Sequence, residues 1–258
     1  MVKGLYTAFT GMVNSQKRLD VVSNNIANSQ TYGYKKEGCT TQSFDAMYAI
    51  KIKDRTVGHL NENVGSVSLG VKIGETYRNF EQGAFITTEA KYDFALSGKG
   101  FFNIEFTDKQ GNTSVMYTRD GSFQLDKDGY LLTKDGDYVL GASGGPIVIP
   151  TNTTQVAVDE LGNITADGEY VDAFALTDFE DYNYLEKYGE NMFRAVDGAT
   201  ETDEVEARVN QGYVEASNIN PVQEMVEMIT IAREYESGQK VINSIDEMLG
   251  RMIDISEI

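Results

Sequence analysis

Two apolar stripes at opposite ends of the chain set the strongest limit on how it can fold. Leu5, Ala8, Met12, Ser15, Leu19, Val22 and Ile26 follow one another at alternating intervals of three and four residues, and only Ser15 among them is polar. Near the other terminus Val222, Met225, Ile229 and Ala232 repeat the spacing. The phase then slips by one residue, and Tyr235, Gly238, Ile242, Ile245, Leu249 and Met252 resume it. Such spacing lays a narrow apolar seam along an α-helix, as in a coiled coil. The second helix has a well-signalled start: Asn220 suits an N-cap, Pro221 suits the first helical position where no amide hydrogen is needed, and Gln223 can complete a capping box. Isolated helices of this size are marginal in water, so each seam requires a partner along its length. Gly238 costs about 1 kcal/mol relative to alanine inside a helix, which marks either a close approach by a neighbour or a weak point.

Between the helices the period changes. Residues 69–213 are rich in Thr, Val, Tyr, Phe and Gly, with Asp-Gly pairs at 120, 128, 135, 167 and 197 that read as turns between short strands. In YTRDGSFQLDKDGYLLTKDGDYVLG, residues 117–141, the turn signals recur every seven or eight residues, as a β-meander requires. Residues 37–68 match neither period and are expected to be a long, partly extended connector. The sequence therefore predicts an α+β chain: residues 1–36 with 214–258 form a terminal helical domain, 37–68 connect, and 69–213 form a β-rich domain.

Composition narrows the chemistry. The 258 residues carry 22 basic and 40 acidic side chains, a formal charge of −18, so a nucleic-acid backbone or an anionic membrane would be repelled. Cys39 is the only cysteine, which excludes an intrachain disulfide, and packing is its expected role. His59 is the only histidine, so any His-rich metal site is impossible, and a Ser-His-Asp or Cys-His arrangement would have to use that residue. Asp126, Asp128 and Gly129 resemble part of a calcium loop, but Gln124 and Asp135 stand where first and closing ligands belong, and a hairpin turn is the reading preferred. SGKGFF at 97–102 lacks the upstream glycine and the Ser/Thr of a phosphate loop and reads as a turn launching the strand 101–106. Acid pairs for glycoside hydrolysis stay possible among 40 carboxylates, with nothing to select one. No catalytic residue, metal or cofactor is expected. MVKGLYTAFTGM shows neither an uninterrupted apolar core nor a small-residue cleavage site, so a cleaved signal peptide is not expected.

The stretch SNNIANSQTYGYKK, residues 23–36, is the specific one. Asn24, Asn25, Ala27, Asn28, Thr31, Gly33, Tyr34 and Lys35 resemble the NNxANxxTxG(F/Y)K signature of the bacterial flagellar rod and hook proteins, and they follow a similar N-terminal helix, LYTAFTGM. GKGFFNI at 98–104, YTRDGSFQLDKDGYLLT at 117–133, YGENMF at 188–193 and QGYVEASNINPVQEMVEMI at 211–229 resemble further family segments in the family's order. The resemblance spans the chain, and the distal part of the rod is its nearest match. One piece departs: where the family commonly has Gly-Asn-Pro-Leu-Asp, this chain has Glu89, Ala90, Lys91, Tyr92 and Asp93, so a different turn is open there.

The resemblance implies a non-enzymatic structural subunit of the flagellar basal body. It would leave through the flagellar export apparatus without a cleaved signal and polymerise with itself into a helical tube, transmitting torque from motor to hook. Terminal helices would line the inside and the β-rich part the outside, next to adjacent rod and hook proteins and the rings around them. Another rod component is the near alternative; the hook protein fits less well, since hook proteins are usually longer in their middle. From a different class, a soluble coiled-coil scaffold has the same seams. The expected self-assembly interface comprises Leu5, Ala8, Met12, Leu19, Val22, Asn24, Asn25, Ile26, Met225, Ile229, Ile242, Ile245, Leu249 and Met252. An amide both donates and accepts, so Asn24 and Asn25 are expected to bond between subunits, while Asn28 and Gly33 end the helix and turn the chain.

Overall fold

The computed structural model describes residues 2–45, 47–51, 62–108, 111–189, 191–202 and 205–256; His59 lies outside them. An N-terminal helix, a C-terminal helix and a central region of short strands give an α+β architecture. The chain divides into two compact units, one made of residues 1–26, 37–78 and 220–258, the other of 27–36 and 79–219.

The first unit contains α1 (Val2–Ala27), β1 (Glu37–Ser43), β2 (Met47–Lys51), β3 (Glu62–Val67), β4 (Val71–Arg78) and α2 (Pro221–Ser256). Asn220 caps α2 as expected: its Oδ1 accepts from the Val222 and Gln223 amides at 3.1 and 3.3 Å. The helices pair antiparallel. Asn25 meets Glu224, Arg18 meets Glu227 and Glu234, and Met12 and Gly4 face Gly238 and Ile245. A β-carbon on Gly238 would sit 2.7 Å from Met12 Cγ, so the glycine marks a close approach. On α2 the inward residues are Glu224, Met228, Ile231, Gly238, Ile242 and Ile245, a single 3,4 register interrupted only at Tyr235, which is exposed. The expected phase slip is therefore absent from the packed face. Val222, Met225 and Ile229 belong to a second stripe, one residue out of register and exposed.

Residues 37–68, expected as a connector, carry β1, β2 and β3. β1 pairs antiparallel with β4 from Glu37 opposite Arg78 to Ser43 opposite Val71, and β2 pairs with β3. Two-stranded ribbons are held by backbone hydrogen bonds with little apolar burial, and β1 (EGCTTQS) buries no residue fully. Strands of this kind leave no alternating pattern in the sequence.

The second unit holds β5 (Phe85–Thr87), β6 (Phe94–Ser97), β7 (Phe101–Thr107), β8 (Thr113–Thr118), β9 (Gln124–Leu125), β10 (Leu131–Leu132), β11 (Tyr138–Val139), β12 (Val156–Val158), β13 (Asn163–Ala166), β14 (Glu169–Ala173), β15 (Leu176–Phe179), β16 (Leu185–Tyr188), β17 (Met192–Ala195), β18 (Glu201–Thr202), β19 (Arg208–Gln211) and β20 (Tyr213–Glu215). The main sheet runs β16-β17-β8-β7-β11-β10-β9, with β15 joined to β7 and β18; β12-β13-β14, β6-β19 and β5-β20 pair separately. Residues 126–130 form the turn between β9 and β10, where the Gly129 amide donates to the Asp126 carbonyl at 3.1 Å, a hairpin rather than a cation loop. Successive side chains of a strand point to opposite faces, so the adjacent Phe101 and Phe102 at the start of β7 serve two cores. Phe102 packs with Phe94, Ile104, Phe123, Leu131 and Phe174, and Phe101 with Tyr117, Phe179, Leu185 and Phe193.

A buried ionic node fixes this unit. Glu215, in β20, is fully buried. Its Oε1 accepts from Lys35 Nζ at 2.6 Å and from the Gly83 amide at 2.7 Å, and its Oε2 lies 3.5 Å from Arg119 Nη1. Lys35 also donates to the Glu81 carbonyl, and Arg119 to the Gly98 carbonyl while stacking over the Phe101 ring. Burial pushes the Lys35 ammonium below its usual pKa, against the pull of Glu215. Gly33 adjoins the node at φ +67°, its amide donating to the Glu215 carbonyl; a β-carbon there would lie 2.4 Å from the Asp120 nitrogen. Only glycine fits.

Replacing one member of a buried ion pair leaves the other uncompensated. Lys35→Met is expected to destabilise the protein by about 3–5 kcal/mol, and Lys35→Met with Glu215→Leu by clearly less, in urea unfolding followed by circular dichroism. Equal losses in the single and double variants would show that Lys35 and Glu215 are not coupled. A second test concerns the departed turn. Glu89, where the family it resembles was expected to have glycine, takes φ +55°, the left-handed conformation that suits glycine. Glu89→Gly is expected to stabilise by about 0.5–1 kcal/mol, the relief of left-handed strain less the glycine's chain entropy. A loss of stability would contradict that conformation.

Candidate self-assembly surface

The fourteen expected interface residues divide between two faces of the α1/α2 pair. Leu5, Ala8, Met12, Leu19 and Ile26 are half-buried and Val22 is buried, all on α1; Ile242 is half-buried and Ile245 buried on α2. This face is occupied by the intrachain pairing.

Asn25 is bonded within the chain. Its side chain is 1% exposed; Nδ2 donates to the Glu37 carbonyl at 2.8 Å and to Glu224 Oε2 at 3.2 Å, and Oδ1 accepts from the Glu37 amide at 3.1 Å. Both donors are spent inside the chain, joining the end of α1 to the first residue of β1 and the first turn of α2. Asn24 is half-buried, with Nδ2 3.5 Å from Glu37 Oε2. Asn28 acts locally, its carbonyl accepting from the Thr31 amide and its Oδ1 from the Thr31 hydroxyl. Arg18 bridges to Glu227 at 3.7 Å and Glu234 at 3.0 Å, ion pairs open enough to water to contribute less than about 1 kcal/mol each. Cys39 is half-buried, and burial pushes its thiol pKa up.

The rest is exposed: Met225 and Ile229 lie on the outward face of α2, while Leu249 and Met252 continue the inward register of Ile242 and Ile245. Val222, Met225, Val226 and Ile229 are between 50% and 70% exposed, and Leu249, Met252 and Ile253 between 39% and 60%. On α1, Tyr6, Phe9 and Val13 are exposed. Large apolar side chains gathered in this way mark an interaction surface. Val226, Ile253, Tyr6, Phe9 and Val13 were not among the expected residues, because on each stretch of helix only one stripe was followed. Positions 6, 9 and 13 repeat the 3,4 spacing of 5, 8 and 12 one residue later, and 222, 225, 226 and 229 form an i, i+3, i+4, i+7 set, so the signal for a second stripe was in the sequence. Among the described residues no helix is long and apolar enough to cross a membrane, and no group of three or more His, Cys, Asp or Glu residues is placed to hold a metal ion.

Comparison with known proteins matches the same segments. Residues 5–35 match the family model described as flagella basal body rod protein, 95–166 that of the flagellar hook protein FlgE/F/G D1 domain, and 210–255 that of the flagellar basal body rod FlgEFG protein C-terminal. The chain is 32% identical over 267 residues to the flagellar basal-body rod protein FlgG of Buchnera aphidicola subsp. Schizaphis graminum, covering 98% of this chain and 99% of the relative. It is 30% identical to FlgG of Bacillus subtilis, over 99% of each chain. To the flagellar basal-body rod protein FlgF of Caulobacter vibrioides it is 32% identical, over 96% of this chain and 95% of that one.

Proposed function

The chain belongs to the bacterial flagellar basal-body rod protein family, and from that premise we propose that it works as a helical homopolymer transmitting torque from motor to hook. It is a structural component of the basal-body rod, of the distal kind. In the proposed polymer the α1/α2 pairs form a coiled-coil-like inner layer, each packed against those of neighbouring subunits, and the β-rich residues 69–213 form the outer one. Adjacent rod and hook proteins, surrounding rings and the flagellar export apparatus are the proposed partners.

One observation carries this reading. The helices already cover each other's inward seams, yet a second apolar stripe runs exposed along the same pair. Exposed Leu, Ile, Val and Met side chains on a strongly acidic protein lose contact with water only if another surface covers them. Stiffness would come from long helices bonded along their sides.

Leu249→Asp tests it. The site is exposed, so the isolated chain is expected to keep its melting temperature, since surface changes alter stability by only about ±0.5 kcal/mol. In a packed polymer the same aspartate is an unpaired buried charge and costs several kcal/mol. The variant should be soluble and folded, form no filaments by electron microscopy, and give cells without hooks. Normal filaments and motility would refute the reading, and a wild-type protein that stops at a closed dimer at high concentration would favour the scaffold.

A further inference from the structure

We propose that a groove beside α1 of one subunit receives the C-terminal end of α2, Val241–Ile253, from a second subunit. The inference rests on the self-assembly reading and names the two surfaces that meet. The groove measures about 480 Å³ and lies between α1 and the β1/β4 ribbon. Phe9, Val13, Phe44 and Ile73 give it an apolar lining, and Lys17 and Lys72 are its only charged side chains. In a chain of 40 carboxylates and 22 bases, two ammonium groups with no carboxylate invert the local charge.

A groove of this kind accepts a helix through residues at i, i+3, i+4 and i+7. Two parts of α2 leave such residues exposed: Val222, Met225, Val226 and Ile229 give the full pattern, and Leu249, Met252 and Ile253 give i, i+3 and i+4. Charge selects the second. Beside the first, Glu224 is bound by Asn25 and Glu227 is paired with Arg18. From 241 to 258 the sequence carries Asp246, Glu247, Asp254 and Glu257 against Arg251 alone, and with Glu247 paired to Arg251 at 2.7 Å three carboxylates remain in excess. Rim lysines facing an acidic helix steer the encounter and fix its register, while the apolar anchors hold it.

Length points the same way. α2 has 36 residues and α1 has 26. Because Ile245 lies beside Gly4, the last turns of α2 lie beyond the described residues of its own α1. Leu249, Met252 and Ile253 stand on this overhang, so their cover comes from another copy. Groove and overhang are different patches of one subunit, so contacts that are not reciprocated by the same pair of copies run head to tail and build a ring or an open helix.

Charge reversal and cross-linking test this pairing. Lys72→Glu alone, and Asp246→Lys with Glu247→Lys alone, should each slow filament elongation at low salt by about tenfold. All three changes in one chain should restore it, with unchanged melting temperatures throughout. In a Cys39→Ser background, mixing Val13→Cys chains with Ile253→Cys chains under assembling conditions should give disulfide-linked heterodimers. Filaments that instead cross-link Val13→Cys to Ile229→Cys would overturn the assignment in favour of the first stripe. Filaments that cross-link neither, or that ignore the charge reversals, would overturn it while leaving the polymer intact. No filaments from the wild-type chain would sink the polymer reading and this one together.

Discussion

The carboxylate of Glu215 decides the architecture of the β-rich unit. A fully buried charge is tolerated only when paired and hydrogen-bonded, and Glu215 draws on Lys35, Arg119 and the Gly83 amide to meet that condition. Each partner comes from a distant part of the sequence: the segment after α1, the turn between β8 and β9, and the loop before β5. Satisfying one carboxylate therefore fixes where three segments lie. The neighbouring contacts follow: the Lys36 amide donates to Asn218 Oδ1, and Asn218 Nδ2 to the Asn79 carbonyl. Such a pair adds little net stability compared with well-packed apolar residues. Its contribution is to make alternative arrangements of those segments costly.

The node also gives the opening motif a physical meaning. TYGYK at 31–35, TRDG at 118–121 and GYVEASN at 212–218 are remote in sequence, and all of them contribute to one buried cluster. Gly33 is required by the nearness of the Arg119–Asp120 backbone, and Lys35 by the carboxylate. Asn25 serves a comparable end in the helical unit, tying α1 to β1 and α2. Three asparagines at a helix end thus divide their work: Asn25 joins elements, Asn24 reaches Glu37, and Asn28 shapes the turn.

What was legible in the sequence followed repetition. The α1 seam at Leu5, Ala8, Met12, Leu19, Val22 and Ile26 could be read because burial repeats with the helical turn, and the 117–141 meander because Asp-Gly turns recur. The pairing of Lys35 with Glu215 was hidden, since a contact across 180 residues leaves no local pattern. β1 was hidden because a ribbon with little apolar burial need not alternate. In α2 the first stripe misled: Val222, Met225 and Ile229 are as apolar as a core seam, and the polar Glu224 occupies the buried register because Asn25 supplies its partner. The left-handed turn at Glu89 was not legible because it is held by contacts remote in sequence, including the Glu89 amide's bond to the Gly212 carbonyl.

The pairing of α1 with α2 joins the two ends of the molecule: Arg18 and Glu234 are 216 residues apart, and Asn25 and Glu224 are 199 apart. Contacts of such separation require closing almost the whole chain into a loop before they return any energy. The helix pair therefore carries a large loop-closure cost, whereas neighbouring strands such as β7 and β8 can zip together from local contacts. Until that closure the outward stripes are attached to no ordered face. The surface proposed for assembly is therefore built from both ends of the fold at once, and any change that parts α1 from α2 removes it whole.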